Sequence, residues 1–233
     1  MELLSFFIGF RYFLYLRKKR GDHIDSPNRL WIILGAVVGS FLGSRIIGGL
    51  ENPTQLQEAE NILLHFYQNK TVLGGFLGGL AGVEIVKKLI NENRASGDLF
   101  VFPIILALII GRIGCFSMGV FEETYGTATN VPWAMYLGDD IPRHPVCLYE
   151  ILYLLLLATI LKFTKQNYKL QDGALFKIFM ISYIAFRFLL DFIKPHYTFN
   201  IGLSTIQMTC VLGLLYYLPY ILKARMLIQT SHA

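Results

Sequence analysis

Charge is scarce in this chain of 233 residues. Lys, Arg, Asp and Glu make up 16% of it, where soluble domains carry about 25%. That scarcity excludes a large soluble enzyme and a disordered tail. With 54% hydrophobic residues and a mean hydropathy of +0.49, the chain reads as a membrane protein. Cysteine is scarce as well. Cys115, Cys147 and Cys210 lie in or beside apolar runs and form no CxxC, so neither a zinc site nor a disulfide frame is indicated. No repeat divides the chain into similar halves, which counts against common transporter designs. The start lacks the order of a cleaved secretory signal, because Arg17-Lys18-Lys19-Arg20 comes after the apolar run instead of preceding it. The net charge of +5 implies no nucleic-acid partner, since the basic residues sit beside apolar runs rather than on one polar patch. No metal or organic cofactor is suggested.

What is present is a series of apolar runs, near residues 3–16, 30–50, 71–86, 99–121, 147–163, 174–193 and 199–222. They predict an all-α, polytopic membrane bundle of about seven helices, formed as a single membrane domain over 1–233. The first and third runs are short for a full crossing. Placing the N-terminus outside and the C-terminus inside puts fourteen basic residues on the inner side and three (Lys70, Arg143 and Lys194) outside. The positive-inside rule selects that orientation. Two outer loops are long. Residues 51–70 mix apolar and polar residues at helical spacing and are expected to form an interfacial helix or arm. Residues 122–146, with three prolines and two glycines, are expected to form a small periplasmic cap without regular elements.

Glycines recur every four residues at Gly35, Gly39 and Gly43, and again at Gly74, Gly78 and Gly82. Such faces let helices approach closely in lipid. Arginines within spans are costly and mark function by default. Arg45, Arg112 and Arg187 are each expected in the outer half of a span, at a similar depth. Asp191 lies one turn after Arg187 and can pair with it. Arg45 and Arg112 have no partner at that spacing, and their surplus charge suits a phosphate, whose geometry matches the guanidinium fork. Tyr183 shares a face with Arg187, Gln207 is polar within the last run, and Arg143-His144-Pro145 opens the fifth. Glu150 could pair with Arg143. Asp98 reads equally as a helix cap.

The ordered segments GRIGCFSMG (111–119), ETYG (123–126), VPWAMY (131–136), RHPVCLYE (143–150), FRFLLDFIKP (186–195) and GLSTIQ (202–207) resemble the prolipoprotein diacylglyceryl transferase family of the bacterial inner membrane. GSRIIG (43–48) and GDLF (97–100) extend the likeness. The resemblance implies a multi-pass enzyme that moves the diacylglyceryl group of phosphatidylglycerol onto the cysteine thiol near a prolipoprotein signal peptide. A thioether forms and glycerol 1-phosphate leaves. It also implies that Arg112 and Arg187 are the essential arginines. Arg45, Asp98, Glu123, Glu150, Tyr183, Asp191 and Gln207 are then substrate-binding candidates.

Three departures stand out. Leu73 occupies the place of a family histidine, Cys115 replaces an asparagine, and Asp191 stands for a glutamate. With Leu73 inert, His144 becomes the candidate base for the thiol and Glu123 the second. Two other readings stay open: a membrane transferase with the same lipid donor and a different acceptor, and a lipid-binding protein without chemistry.

Overall fold

The computed structural model describes residues 1–122 and 124–229. Nine helices are formed among them: α1 (Glu2–Arg20), α2 (Ser26–Gly49), α3 (Pro53–Glu58), α4 (Ile62–Gln68), α5 (Val72–Leu89), α6 (Val101–Met118), α7 (Val146–Asn167), α8 (Ala174–Asp191) and α9 (Thr205–Leu222). Four segments are long and apolar enough to cross a membrane: α2, α6 with its following turn, α7 and α9. The protein is therefore a mostly helical, multi-pass membrane protein. The first and third apolar runs form helices of 19 and 18 residues, longer than their sequence suggested.

The chain packs as two compact units. One comprises residues 1–22, 95–195 and 217 onward, and the other residues 23–94 and 196–216.

In the first unit, α1 lies against α6, with Gly9 close to Ala107 and to the Pro103 carbonyl. Phe13 stacks on Phe100 with ring centroids 4.2 Å apart. Between α7 and α8, Tyr153 stacks on Phe186 at 3.8 Å. Leu154 and Leu161 of α7 and Leu175, Phe179, Met180 and Ile184 of α8 are fully buried. Removing such side chains from water and lipid into close contact is what holds helices in register. Asp98, just ahead of α6, accepts hydrogen bonds from the backbone N–H groups of Gly173 (2.8 Å) and Phe176 (2.9 Å). It thus caps α8, whose first amide groups have no partner within the helix. Burial pushes the Asp98 carboxyl above its ordinary pKa, and the two backbone donors pull it back. Asp98→Ala should destabilise the protein by about 1–2 kcal/mol, with Asp98→Asn losing roughly half as much because one acceptor oxygen remains. Chemical unfolding in mixed micelles measures both.

Residues 119–145 of this unit carry regular structure that the sequence reading did not expect. Met135–Tyr136 (β1) and Pro142–Arg143 (β2) pair antiparallel, Met135 with Arg143 and Tyr136 with Pro142. The segment is pinned where Val120 donates to the Leu137 carbonyl and Thr127 to the Ile193 carbonyl, both at 2.9 Å. Gly119 sits at φ +58°, and a Cβ there would run into the Leu137 carbonyl, so only glycine lets β1 sit this close to the end of α6.

In the second unit, α2 and α5 interleave their glycines. A Cβ on Gly39 would meet the Gly78 carbonyl, and one on Gly78 the Gly39 carbonyl. The 51–70 arm is two short helices, not one. Pro53 opens α3, and extended backbone at Ala59 breaks the run before Asn61 caps α4. Arg94 draws in the start of α2, bonding to Glu92 (2.6 Å), to Asp25 (3.4 Å) and to the His23 carbonyl. The last run begins its helix at Thr205, not near residue 199. Gly202 turns the chain at φ +74°, and Ser204 caps α9.

Candidate functional site: a buried arginine–carboxylate cluster

Residues from three neighbouring helices of the first unit meet in one buried network. Arg112 comes from the last two turns of α6, Glu150 from the second turn of α7, and Tyr183, Arg187 and Asp191 from successive turns of α8. The i, i+4 spacing of the α8 trio puts all three on one face. Arg112 Nε lies 2.9 Å from Glu150 Oε2. The Tyr183 hydroxyl donates to Glu150 Oε1 at 2.9 Å. Arg187 Nη2 stands 3.9 Å from Asp191 Oδ1, and its charge also reaches Glu150. Glu150, Tyr183 and Asp191 are at most 1% exposed, Arg187 5% and Arg112 9%.

This corrects two sequence readings. Glu150 does not pair with Arg143. It faces inward to Arg112, while Arg143 pairs with Asp139 at 2.7 Å and lies over the Tyr125 ring. Arg112 also does not carry surplus charge, since two arginines face two carboxylates. Buried charges are retained only when paired in this way. The pairing nevertheless leaves donors to spare. A guanidinium carries five N–H groups, and Glu150 engages the one on Nε. From Arg112 Nη1 the Cys115 thiol is 3.9 Å away. Cys115 and Cys147 line a cavity of about 10 Å³, room for one water.

His144 sits at the mouth of α7, half-buried, with Nδ1 3.1 Å from the Tyr149 hydroxyl. The same hydroxyl accepts from Trp133 Nε1 at 2.7 Å. Nothing at helical spacing links Trp133 to Tyr149, and only the folded cap brings them together.

The other candidates lie elsewhere. Asp98 caps α8 at its start, eleven residues or about 16 Å along the helix from Arg187 to Phe176. Both its oxygens are committed to backbone. Glu123 lies outside the described residues. In the second unit, Arg45 is held between aromatic rings, 5.5 Å from Phe41 and 5.1 Å from Tyr67, and reaches the Asn69 carbonyl at 3.5 Å. Gln207 closes a reciprocal cap on α9. Its Oε1 accepts from Ser204 N, and its own N–H donates to Ser204 Oγ. Ser204-x-x-Gln207 is the spacing of a capping box, a signal present in the sequence. The buried Gln207 Nε2 has no hydrogen-bond partner among the described residues. Leu73 is fully buried.

A model of the prolipoprotein diacylglyceryl transferase family matches residues 1–222, extending the likeness to the first helix. Similar proteins include the phosphatidylglycerol–prolipoprotein diacylglyceryl transferase of Idiomarina loihiensis, 30% identical over 200 residues, covering 80% of this chain and 71% of that one. Proteins of the same name from Aliivibrio salmonicida and Cupriavidus metallidurans are 31% and 28% identical. Those alignments cover 82% and 88% of this chain, and 70% and 80% of the relatives. The chain belongs to the prolipoprotein diacylglyceryl transferase family.

Proposed function

We propose that this protein transfers the diacylglyceryl group of phosphatidylglycerol to the cysteine thiol of a prolipoprotein. The thiolate sulfur bonds to the sn-3 carbon of the lipid glycerol, the bond from that carbon to phosphate oxygen breaks, and glycerol 1-phosphate leaves. One observation carries the reading. In a chain of this family, two buried arginines face two buried carboxylates, with Arg112 bonded to Glu150 and Arg187 3.9 Å from Asp191, and they keep donors free. Such donors stabilise the charge that gathers on a departing phosphate, and they need no reorganisation to do so. Arg112 and Arg187 are the phosphate-binding residues. Glu150 and Asp191 orient them, and Tyr183 fixes Glu150. The same cations favour the thiolate of the incoming cysteine, which is the attacking species.

The proposal extends to topology. Helices α1, α2, α5, α6, α7, α8 and α9 cross the bacterial inner membrane, with the N-terminus outside and the C-terminus inside. The fourteen-to-three bias of basic residues supports this. So do the lengths of α1, α5 and α8, which at 18–19 residues span about 27–29 Å. A second reading, the same donor with another acceptor, draws on the buried Leu73 at the place of the family histidine.

The test is a mass-spectrometric transfer assay with purified protein, phosphatidylglycerol and a peptide bearing a lipoprotein-type cysteine. A diacylglyceryl mass increment that vanishes with Arg112→Ala is the expected result. No increment, with Arg112-dependent binding of labelled phosphatidylglycerol retained, would move the assignment to the second reading.

A further inference from the structure

The chain from Trp133 through Tyr149 to His144 determines which nitrogen of His144 carries a proton. An indole N–H donates and cannot accept, so at 2.7 Å it must give its hydrogen to the Tyr149 oxygen. The Tyr149 hydroxyl proton then needs its own acceptor. Among the described residues the one within reach is His144 Nδ1, at 3.1 Å. Neutral His144 therefore accepts at Nδ1 and carries its hydrogen on Nε2. With the proton on Nδ1, the Tyr149 oxygen would face two donors, and its own hydroxyl proton would have no acceptor among the described residues. Nε2 itself has no hydrogen-bond partner among the described residues.

We infer that His144 presents a fixed Nε2–H donor to an anionic phosphate oxygen of the donor lipid, with Tyr149 and Trp133 as the residues that set its tautomer. This rests on the proposed transfer and replaces the role of base that the sequence suggested for His144. Its one neutral lone pair is occupied by Tyr149. The lipid phosphate is the anionic partner because its oxygens carry negative charge before the bond breaks and gain more as it departs, whereas the attacking thiolate loses its charge. The backbone explains how donor and arginines are held to one register. Tyr149 and Glu150 are consecutive residues of α7, the first bonded to His144 and the second to Arg112.

The test pairs spectroscopy with kinetics on the full-length protein. In protein labelled with ¹⁵N-histidine and embedded in bilayers containing phosphatidylglycerol, the resonances lost in His144→Gln identify His144. They should show unprotonated Nδ1 and protonated Nε2, with a protonated Nδ1 appearing in Tyr149→Phe. A glutamine amide can accept from Tyr149 and donate onward, so His144→Gln should stay within about tenfold of the unaltered enzyme. His144→Ala should lose about 10- to 100-fold, the worth of a hydrogen bond to a charged group. That loss should fall on kcat and on KM for phosphatidylglycerol, leaving KM for the acceptor peptide unchanged. A protonated Nδ1 in the unaltered protein would overturn the inference. So would equal inactivity of the Gln and Ala variants, or a loss confined to the KM for the peptide. Absence of transfer by the unaltered protein would overturn the proposed function and the phosphate assignment with it, while the tautomer would still be decided by the spectrum.

Discussion

Arg112→Lys lowers diacylglyceryl transfer by about 10²- to 10³-fold, the loss expected when a donor aimed at developing charge is removed. Lysine keeps the charge, so a protein using this position only as a cation would tolerate the change. The geometry says otherwise. Arg112 is divided between two tasks, with Nε on Glu150 at 2.9 Å and the Nη groups left for substrate. An ammonium is a point charge on a flexible stem and cannot be shared along two fixed directions. If it turns to Glu150, the phosphate loses its donors. If it turns to phosphate, Glu150 is left buried beside Tyr183 without its ion pair. Steady-state transfer kinetics measure the loss, and thermal unfolding in the same detergent separates it from misfolding. A Lys variant within tenfold of the unaltered rate would sink the phosphate-clamp assignment and favour lipid binding without chemistry.

Gly39→Val should be strongly destabilising, costing about 3 kcal/mol or more. The Cβ alone would strike the carbonyl of Gly78. A backbone carbonyl within a helix cannot rotate aside as a side chain can, so α2 and α5 must separate along their shared length. Separation removes the close packing that holds helices together in lipid, where no hydrophobic force between helices replaces it. Gly111→Ala is the control, because a Cβ at that position on α6 meets nothing within 4 Å. It should leave stability unchanged or raise it by up to about 1 kcal/mol. Thermal aggregation midpoints of the two variants, measured side by side, decide whether the interleaved glycines matter by position or merely by composition.

The long helices were legible because each apolar run is continuous, although the first and third runs read shorter than the helices they form. The Arg187–Asp191 spacing was legible for a similar reason, since one turn of helix is a local fact. The partner of Arg112 was not. Glu150 lies 38 positions away on another helix, and neighbouring residues offered the nearer alternative of Arg143. The cap hairpin was missed because strands of two residues leave no alternating pattern to detect. The late start of α9 was missed because 199–204 is apolar enough to extend the run, while Gly202 and Ser204 turn and cap it. Asp98 was legible as a possible cap, but which helix it caps was not. The backbone it serves, at Gly173 and Phe176, comes from α8.

The first turns of α7 act as an index pin. Adjacent side chains on a helix point about 100° apart, so Tyr149 can hold the cap while Glu150 holds the arginine, and neither can do the other's work. Inserting or deleting one residue between His144 and Glu150 would turn both away at once. An insertion between Thr129 and Val131, ahead of Trp133 and the hairpin, would lengthen a connection and leave both bonds in place. Length variation among homologous chains should therefore collect in the outer part of the cap and be absent from the seven residues 144–150. The cap is then less a lid than a gauge, which fixes the rotation of α7 about its own axis and with it the aim of the buried guanidinium.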